Sequence, residues 1–220
     1  MPIELARVKL RGLYAIVAGL FLLVGIPFFE GAVLAPAGYF TAIEQVALSG
    51  SFALLLAWAS QHPGLDLTFH VVELVPFLLV VGLPGSLRRA LWPRDSRIGR
   101  VAALSGMAGF GLYGLAVVLG GIVTRSTADV FASTPQSQAE TVSAYASQYA
   151  FQTLISHVFG GLLVGLCLLL VGARIVRTKL LPRWLGFVSI MPAGFLALTA
   201  VQFLADPTQV ETASSSLTFA

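Results

Sequence analysis

Three ionisable side chains, Asp66, His70 and Glu73, interrupt the otherwise apolar stretch "LDLTFHVVELVPF". Their i, i+4, i+7 spacing places them on one face of a helix. A histidine held between carboxylates can exchange a proton, help to hold a divalent cation, or flank a site for an apolar or lipid-like ligand. Pro76 follows on the same segment. It cannot donate to the carbonyl of Val72, so a kink and an extra free acceptor are expected there. A second polar face lies further along the chain. Tyr149, Thr153 and His157 repeat every four residues, as do Gln148, Gln152 and Ser156. The candidate ligand or proton site is therefore Asp66, His70, Glu73, Gln152, Ser156 and His157.

Several chemistries compete for these residues. A divalent metal could use His70, Glu73 and His157, although His-x-x-Glu alone is a weak signal and no His-Glu-x-x-His occurs. A haem b could sit between His70 and His157. Glu73 and His70 could instead exchange protons during transport. The plainest alternative is polar glue between helices. Interhelical hydrogen bonds average only about 0.6 kcal/mol, whereas an ionisable group inside a span costs about 2.5–3.5 kcal/mol on insertion scales. A Ser105–His157 nucleophile pair is set aside. With a ~1.5 Å rise and a ~30 Å hydrocarbon core, the two lie roughly 10 Å apart in depth, and no catalytic residue is assigned.

That costing presumes a membrane, which composition supports. Of 220 residues, 57% are hydrophobic and 10% charged, with a mean hydropathy of +0.88. A soluble domain carries about 25% charged residues, so this chain lacks the polar surface to cover a water-facing globule. The single cysteine, Cys167, excludes an intramolecular disulfide and a Cys-x-x-Cys pair, and is expected to be an inert packing residue. No Walker pattern occurs. The small residues Ser105, Gly109, Gly114, Gly161 and Gly165 are expected to pack helices closely.

Five stretches have the length and apolarity to span: 12–29, 66–84, 101–123, 150–172 and 184–204. Arg7, Lys9 and Arg11 before the first give it the layout of a signal peptide, but its length predicts a retained span. Basic residues fix the orientation, because cytoplasmic loops are rich in Lys and Arg. Arg88, Arg89, Arg94, Arg97 and Arg100 join spans two and three, and Arg174, Arg177, Lys179 and Arg183 join spans four and five. With five spans, the N-terminus cytoplasmic and the C-terminus external, Arg125 is the one basic residue outside. The formal charge of +3 is then a topology signal and no argument for nucleic acid.

The outer connections are 30–65 and 124–149. The segment 46–59 is too short to cross and predicts an outer interfacial helix, with Tyr39 and Trp58 as interface anchors and His62 in a solvated loop. Nothing marks a soluble domain at either end, so residues 1–220 are read as one all-α transmembrane domain.

"LWPR" at 91–94 and "LLPR" at 180–183 hold equivalent places in the two cytoplasmic loops, each after a span with one histidine. This suggests a parallel internal repeat, with coincidence as the alternative. The later stretch "RTKLLPRWLGFVSIMPAG", and within it Leu181 to Gly186, resembles the last loop and last span of a bacterial family of small multi-pass membrane proteins of unknown function. The resemblance implies a helical bundle and a multi-pass place in a bacterial inner membrane.

These features together predict a small polytopic protein in the lipid bilayer. Its expected role is non-enzymatic, either binding a small ligand at an outward-facing polar site or serving as an accessory subunit, with homo-oligomers possible. The alternatives are a haem b or metal redox protein and a proton-coupled transporter.

Overall fold

The computed structural model describes residues 12–178 and 181–205. Arg7, Lys9, Arg11, Lys179, Asp206 and Glu211 lie outside the described residues. The protein is an all-α membrane bundle, and among the described residues there is no strand. Its helices are α1 (Gly12–Leu34), α2 (Tyr39–Ser49), α3 (Ala53–Gln61), α4 (Pro63–Val80), α5 (Leu83–Leu91), α6 (Arg97–Ser133), α7 (Gln138–Thr153), α8 (Gly161–Thr178) and α9 (Arg183–Ala205).

Five helical stretches are long and apolar enough to cross a membrane: Gly12–Leu34, Pro63–Leu91, Arg97–Ser133, Pro135–Thr178 and Arg183–Leu204. Each contains one of the spans expected from hydropathy. Their flanks explain the difference in length. Helix α6 has 37 residues, about 55 Å at ~1.5 Å per residue, which exceeds a ~30 Å hydrocarbon core. Large apolar side chains point outward, with Leu23 78% and Met191 75% exposed. In water such a surface would drive association; in lipid it is the solvated face.

Four stretches depart from α geometry, among them a 3-10 turn at Pro135–Ser137. Phe21–Gly25 and Glu30–Leu34 within α1, and Leu154–Gly160 between α7 and α8, are π-helical. In the second, the Ala35 N–H donates to the Glu30 carbonyl at 2.8 Å, an i to i+5 bond. Helix α4 runs through Pro76, so the proline does not end it.

The chain forms two compact units. The first comprises residues up to Leu20 together with Val75–Gly114 and Ile155–Val201. Its helices meet backbone to backbone at glycine. A Cβ on Gly172 would lie 2.6 Å from the Gly186 carbonyl oxygen, and one on Gly186 would lie 2.7 Å from that of Gly172. Gly109 sits equally close to Val164 N and the Gly160 oxygen, at 2.8 and 2.9 Å from its would-be Cβ. Gly106 makes room for Cys167 and Pro84. Cys167 is buried beside Leu91, Val171 and Ile175 and packs as expected. At the arginine-rich end of this unit, Arg174 Nε donates to the Leu91 carbonyl at 2.8 Å. It thereby satisfies an orphan acceptor at the C-terminus of α5. Ser96 Oγ accepts from the Gly99 N–H at 3.1 Å and caps the start of α6.

The second unit comprises Phe21–Leu74, Leu115–Leu154 and the end of α9. Here the expected single helix over 46–59 is corrected to two. Gly50, at φ 66°, ends α2 in the left-handed region, and α3 begins afresh at Ala53. A left-handed residue at that position favours glycine and stops a helix. Helix α3 turns one side into the unit and leaves Leu54 exposed on the other. Leu55, Leu56, Trp58 and Ala59 are buried within one apolar cluster with Leu34, Phe52 and Phe69. Its 9 residues span about 14 Å at ~1.5 Å each, too short to cross.

The glycine contacts make a direct prediction about stability. Gly172→Ala forces a methyl against a backbone oxygen that cannot yield, and is expected to destabilise by about 1–3 kcal/mol. Gly194→Ala on α9 meets nothing within 4 Å and is expected to be neutral. Thermal unfolding of the two variants in detergent checks the contrast.

Candidate functional site

The polar face of α4 lies within the second unit. Asp66 Oδ1 is 3.8 Å from His70 Nε2, and Glu73 Oε2 is 3.4 Å from His70 Nδ1. The imidazole therefore stands between two carboxylates, as the i, i+4, i+7 spacing predicts. Neither contact is a good hydrogen bond. His70 Nδ1 is buried and has no hydrogen-bond partner, because Glu73 lies within ionic reach but out of line. The Asp66 side chain is only 6% exposed, and His70 at 3.8 Å is its one ionic contact.

Glycine on α6 lets the imidazole fit. A Cβ on Gly121 would lie 3.1 Å from His70 Cγ and Cδ2. One on Gly120 would lie 3.6 Å from His70 Cε1 and 3.3 Å from Gln152 Oε1, so Gln152 shares that face. One turn further on, Thr124 Oγ1 and the Tyr145 hydroxyl pair at 2.8 Å in a buried position. Arg125 is engaged with Asp129 at 3.0 Å on the exposed side of α6.

An aromatic cluster adjoins this face. The Tyr39 ring lies 5.4 Å from Phe69 and 4.9 Å from Trp58, and Phe69 lies 5.8 Å from the His70 ring. Trp58 Nε1 donates to the Ala37 carbonyl at 2.8 Å. Trp58 is thus a core residue of the unit, and the partly buried Tyr39 packs against that core. An indole N–H needs a partner when buried, and the turn before α2 supplies one. His62 lies in the short loop after α3, half-buried. Its ring stacks on Trp58 at 5.4 Å, and Nδ1 lies 3.1 Å from the Trp58 carbonyl oxygen at the end of α3.

Two groups escaped the sequence reading. Glu30 lies within electrostatic reach of Glu73 and of Tyr39. It was placed just past the end of the first span, but α1 continues as a π-helical turn to Leu34 and keeps it inside. A glutamate three residues after Pro27, with apolar residues on both sides, was the available signal. Tyr39 carried no such signal, because its proximity is set by how α2 folds back.

Ser156 and His157 belong to the first unit. They lie in the π-helical stretch Leu154–Gly160, where Ser156 Oγ and His157 Nδ1 are 2.9 Å apart. The Tyr113 ring lies 6.0 Å from His157 edge-on and stacks on Phe77 at 5.4 Å. The structure therefore gathers Asp66, His70, Glu73 and Gln152 in one unit and pairs Ser156 with His157 in the other. Among the described residues no group of three His, Cys, Asp or Glu side chains is arranged to hold a metal ion.

A comparison with known families finds one match. Residues 17–220 match the family described as a domain of unknown function, DUF4386. The chain belongs to that family. No curated protein and no solved structure matches. The resemblance noted in the last loop and last span thus extends over nearly the whole DUF4386 chain, and it brings no assigned chemistry.

Burial pushes the Tyr39 hydroxyl well above the ordinary phenol range, helped by the negative charge of Glu73. In the unfolded chain Tyr39 ionises near pH ~10, while the folded phenol keeps its proton beyond that. The unfolded state is then favoured as pH rises through this window. Stability is expected to decline from about pH 8 to about pH 11, and Tyr39→Phe is expected to decline less over the same range. Thermal unfolding at the two pH values reads the difference.

Proposed function

We propose that this DUF4386 protein is a non-enzymatic membrane protein that binds a small polar or charged ligand at Asp66, His70 and Glu73. Gln152 lies beside them, and Ser156 and His157 form an accessory polar pair. The ligand-binding chain acts alone or as an accessory subunit of a membrane complex. One observation carries this reading: the buried His70 Nδ1 has no hydrogen-bond partner although Glu73 stands 3.4 Å away, and the buried Asp66 carboxylate stays 3.8 Å from Nε2 on the other side of the ring. Polar glue would be hydrogen-bonded, because an unpaired polar group in a low-dielectric interior costs about 1–3 kcal/mol. Strain of this kind persists where a ligand completes the bonding.

The metal and haem alternatives receive less support. No three-ligand metal set is present among the described residues. Both ring nitrogens of His70 face carboxylates, an arrangement that suits a proton or a ligand donor better than an axial iron bond.

In this reading the chain is a single multi-pass domain of a bacterial inner membrane, with its N-terminus cytoplasmic. Glu44, Asp129 and Glu140 face outward, and the loop with Arg94 and Arg97 faces the cytoplasm. Cysteine labelling in intact cells tests this. A membrane-impermeant maleimide is expected to label Asp129→Cys and not Arg94→Cys, and the reverse pattern contradicts the orientation.

The site itself is tested by stability without ligand. Glu73→Gln relieves repulsion between Glu73 and Glu30 and leaves Asp66 facing His70. It is expected to raise stability by about 0.5–2 kcal/mol, as changes at function-bearing strained sites commonly do. A fall in the unfolding midpoint identifies Glu73 as a structural bridge and removes the proposal.

A further inference from the structure

We infer that the ligand is an organic monocation, an amine or quaternary ammonium compound, held by Glu30, Asp66 and Glu73 against the rings of Tyr39 and Phe69. This rests on the binding role just proposed for Asp66, His70 and Glu73, and it specifies the chemistry. Charge balance is the first argument. Glu30, Asp66 and Glu73 lie within electrostatic reach of one another through Glu73. His70 can return at most one positive charge, and Arg125, whose charge also reaches Asp66, is shared with Asp129 at 3.0 Å. With all three carboxylates ionised, negative charge remains in surplus even when the histidine is protonated. In a low-dielectric setting that surplus needs a cation or protons.

The buried Asp66 side chain is the second, independent argument. It is 6% exposed, and its one ionic contact, His70 Nε2, is 3.8 Å away. A carboxylate so placed has acceptor capacity left for an N–H donor. The third argument selects an organic cation over an inorganic one. No three-ligand set for a metal ion is present among the described residues. Aromatic rings stand at the same place instead, with Tyr39 and Phe69 5.4 Å apart and Phe69 5.8 Å from His70. Ring faces attract alkylammonium groups, by about 2 kcal/mol or more when water is excluded, and they do little for a hydrated divalent ion.

Trp58 reports on this place, since its ring lies 4.9 Å from that of Tyr39. Replacing Trp92 and Trp184 by Phe leaves Trp58 as the single tryptophan of the 3 in the chain. That double variant, and the unaltered protein followed by thermal unfolding, are titrated in detergent with choline and with n-butylammonium. The neutral isostere 3,3-dimethylbutan-1-ol and sodium chloride at matched ionic strength serve as comparators. At least one ammonium probe is expected to change Trp58 fluorescence saturably and raise the unfolding midpoint. Asp66→Asn and Glu73→Gln are each expected to weaken its binding about tenfold or more, ~1.4 kcal/mol. An equal response to the neutral isostere or to sodium chloride overturns the inference. If neither ammonium probe binds while Glu73→Gln alone still raises the midpoint, the cation class falls and the ligand site stands. If Glu73→Gln lowers the midpoint, the site falls and the inference with it.

Discussion

Charge placed in a low-dielectric helical interior must be balanced by charge, protons or hydrogen bonds close at hand, and this constraint organises the second unit. Helix α4 carries Asp66, His70 and Glu73 at spacings that only a helix can bring to one face. The neighbouring helices are shaped around that face. Gly120 and Gly121 on α6 leave just enough room for the imidazole, and a methyl at Gly121 would meet it at 3.1 Å. The turn from α2 to α3 buries Trp58 and brings the Tyr39 ring beside Phe69. The result is a face whose polar groups are close together yet poorly bonded to each other. Close approach without good bonds is costly, and it is the physical basis for reading the face as incomplete without a ligand.

The first unit obeys a different constraint. Lipid supplies no hydrophobic drive between helices, so their association depends on close packing. The Gly172–Gly186 and Gly109–Gly160 approaches bring backbones within van der Waals reach, and Cys167 fills the space beside Gly106. These contacts are rigid, since most of the atoms opposed are backbone. Arg174 at the Leu91 carbonyl adds a bond at the arginine-rich end, where a helix C-terminus favours a cation. Close packing and helix capping serve the scaffold here.

What the sequence made legible follows from how local each signal is. Long apolar runs mark membrane spans directly, and all five appear. The helical spacing of Asp66, His70 and Glu73 is local too, and the observed contacts follow it. The π-helical turns were not legible. They shift the register by one residue, enough to keep Glu30 inside α1 when the hydropathy run places it at the end. The stretch 46–59 misled for a related reason. Its apolar composition suits one helix, but Gly50 in the left-handed region splits it, and the pieces fold back into a core that no periodicity announces. Tyr39 and Trp58, amphipathic rings typical of a membrane interface, joined that core because Ala37 offers a carbonyl to the indole. The pairing of Gln152 with the His70 face was legible as a polar stripe, but not the glycines on α6 that bring the two together.

The central claim is that Glu73 and Glu30 lie within electrostatic reach of each other and repel when both are ionised. A double-mutant cycle on Glu30→Gln and Glu73→Gln, read by thermal unfolding in detergent, measures this most directly. Each single change is expected to stabilise, and the double variant is expected to gain less than the sum, because either change alone already removes the repulsion. Destabilisation by each single change, or gains that simply add, would show that the two carboxylates share a proton or do not interact, and would contradict the account.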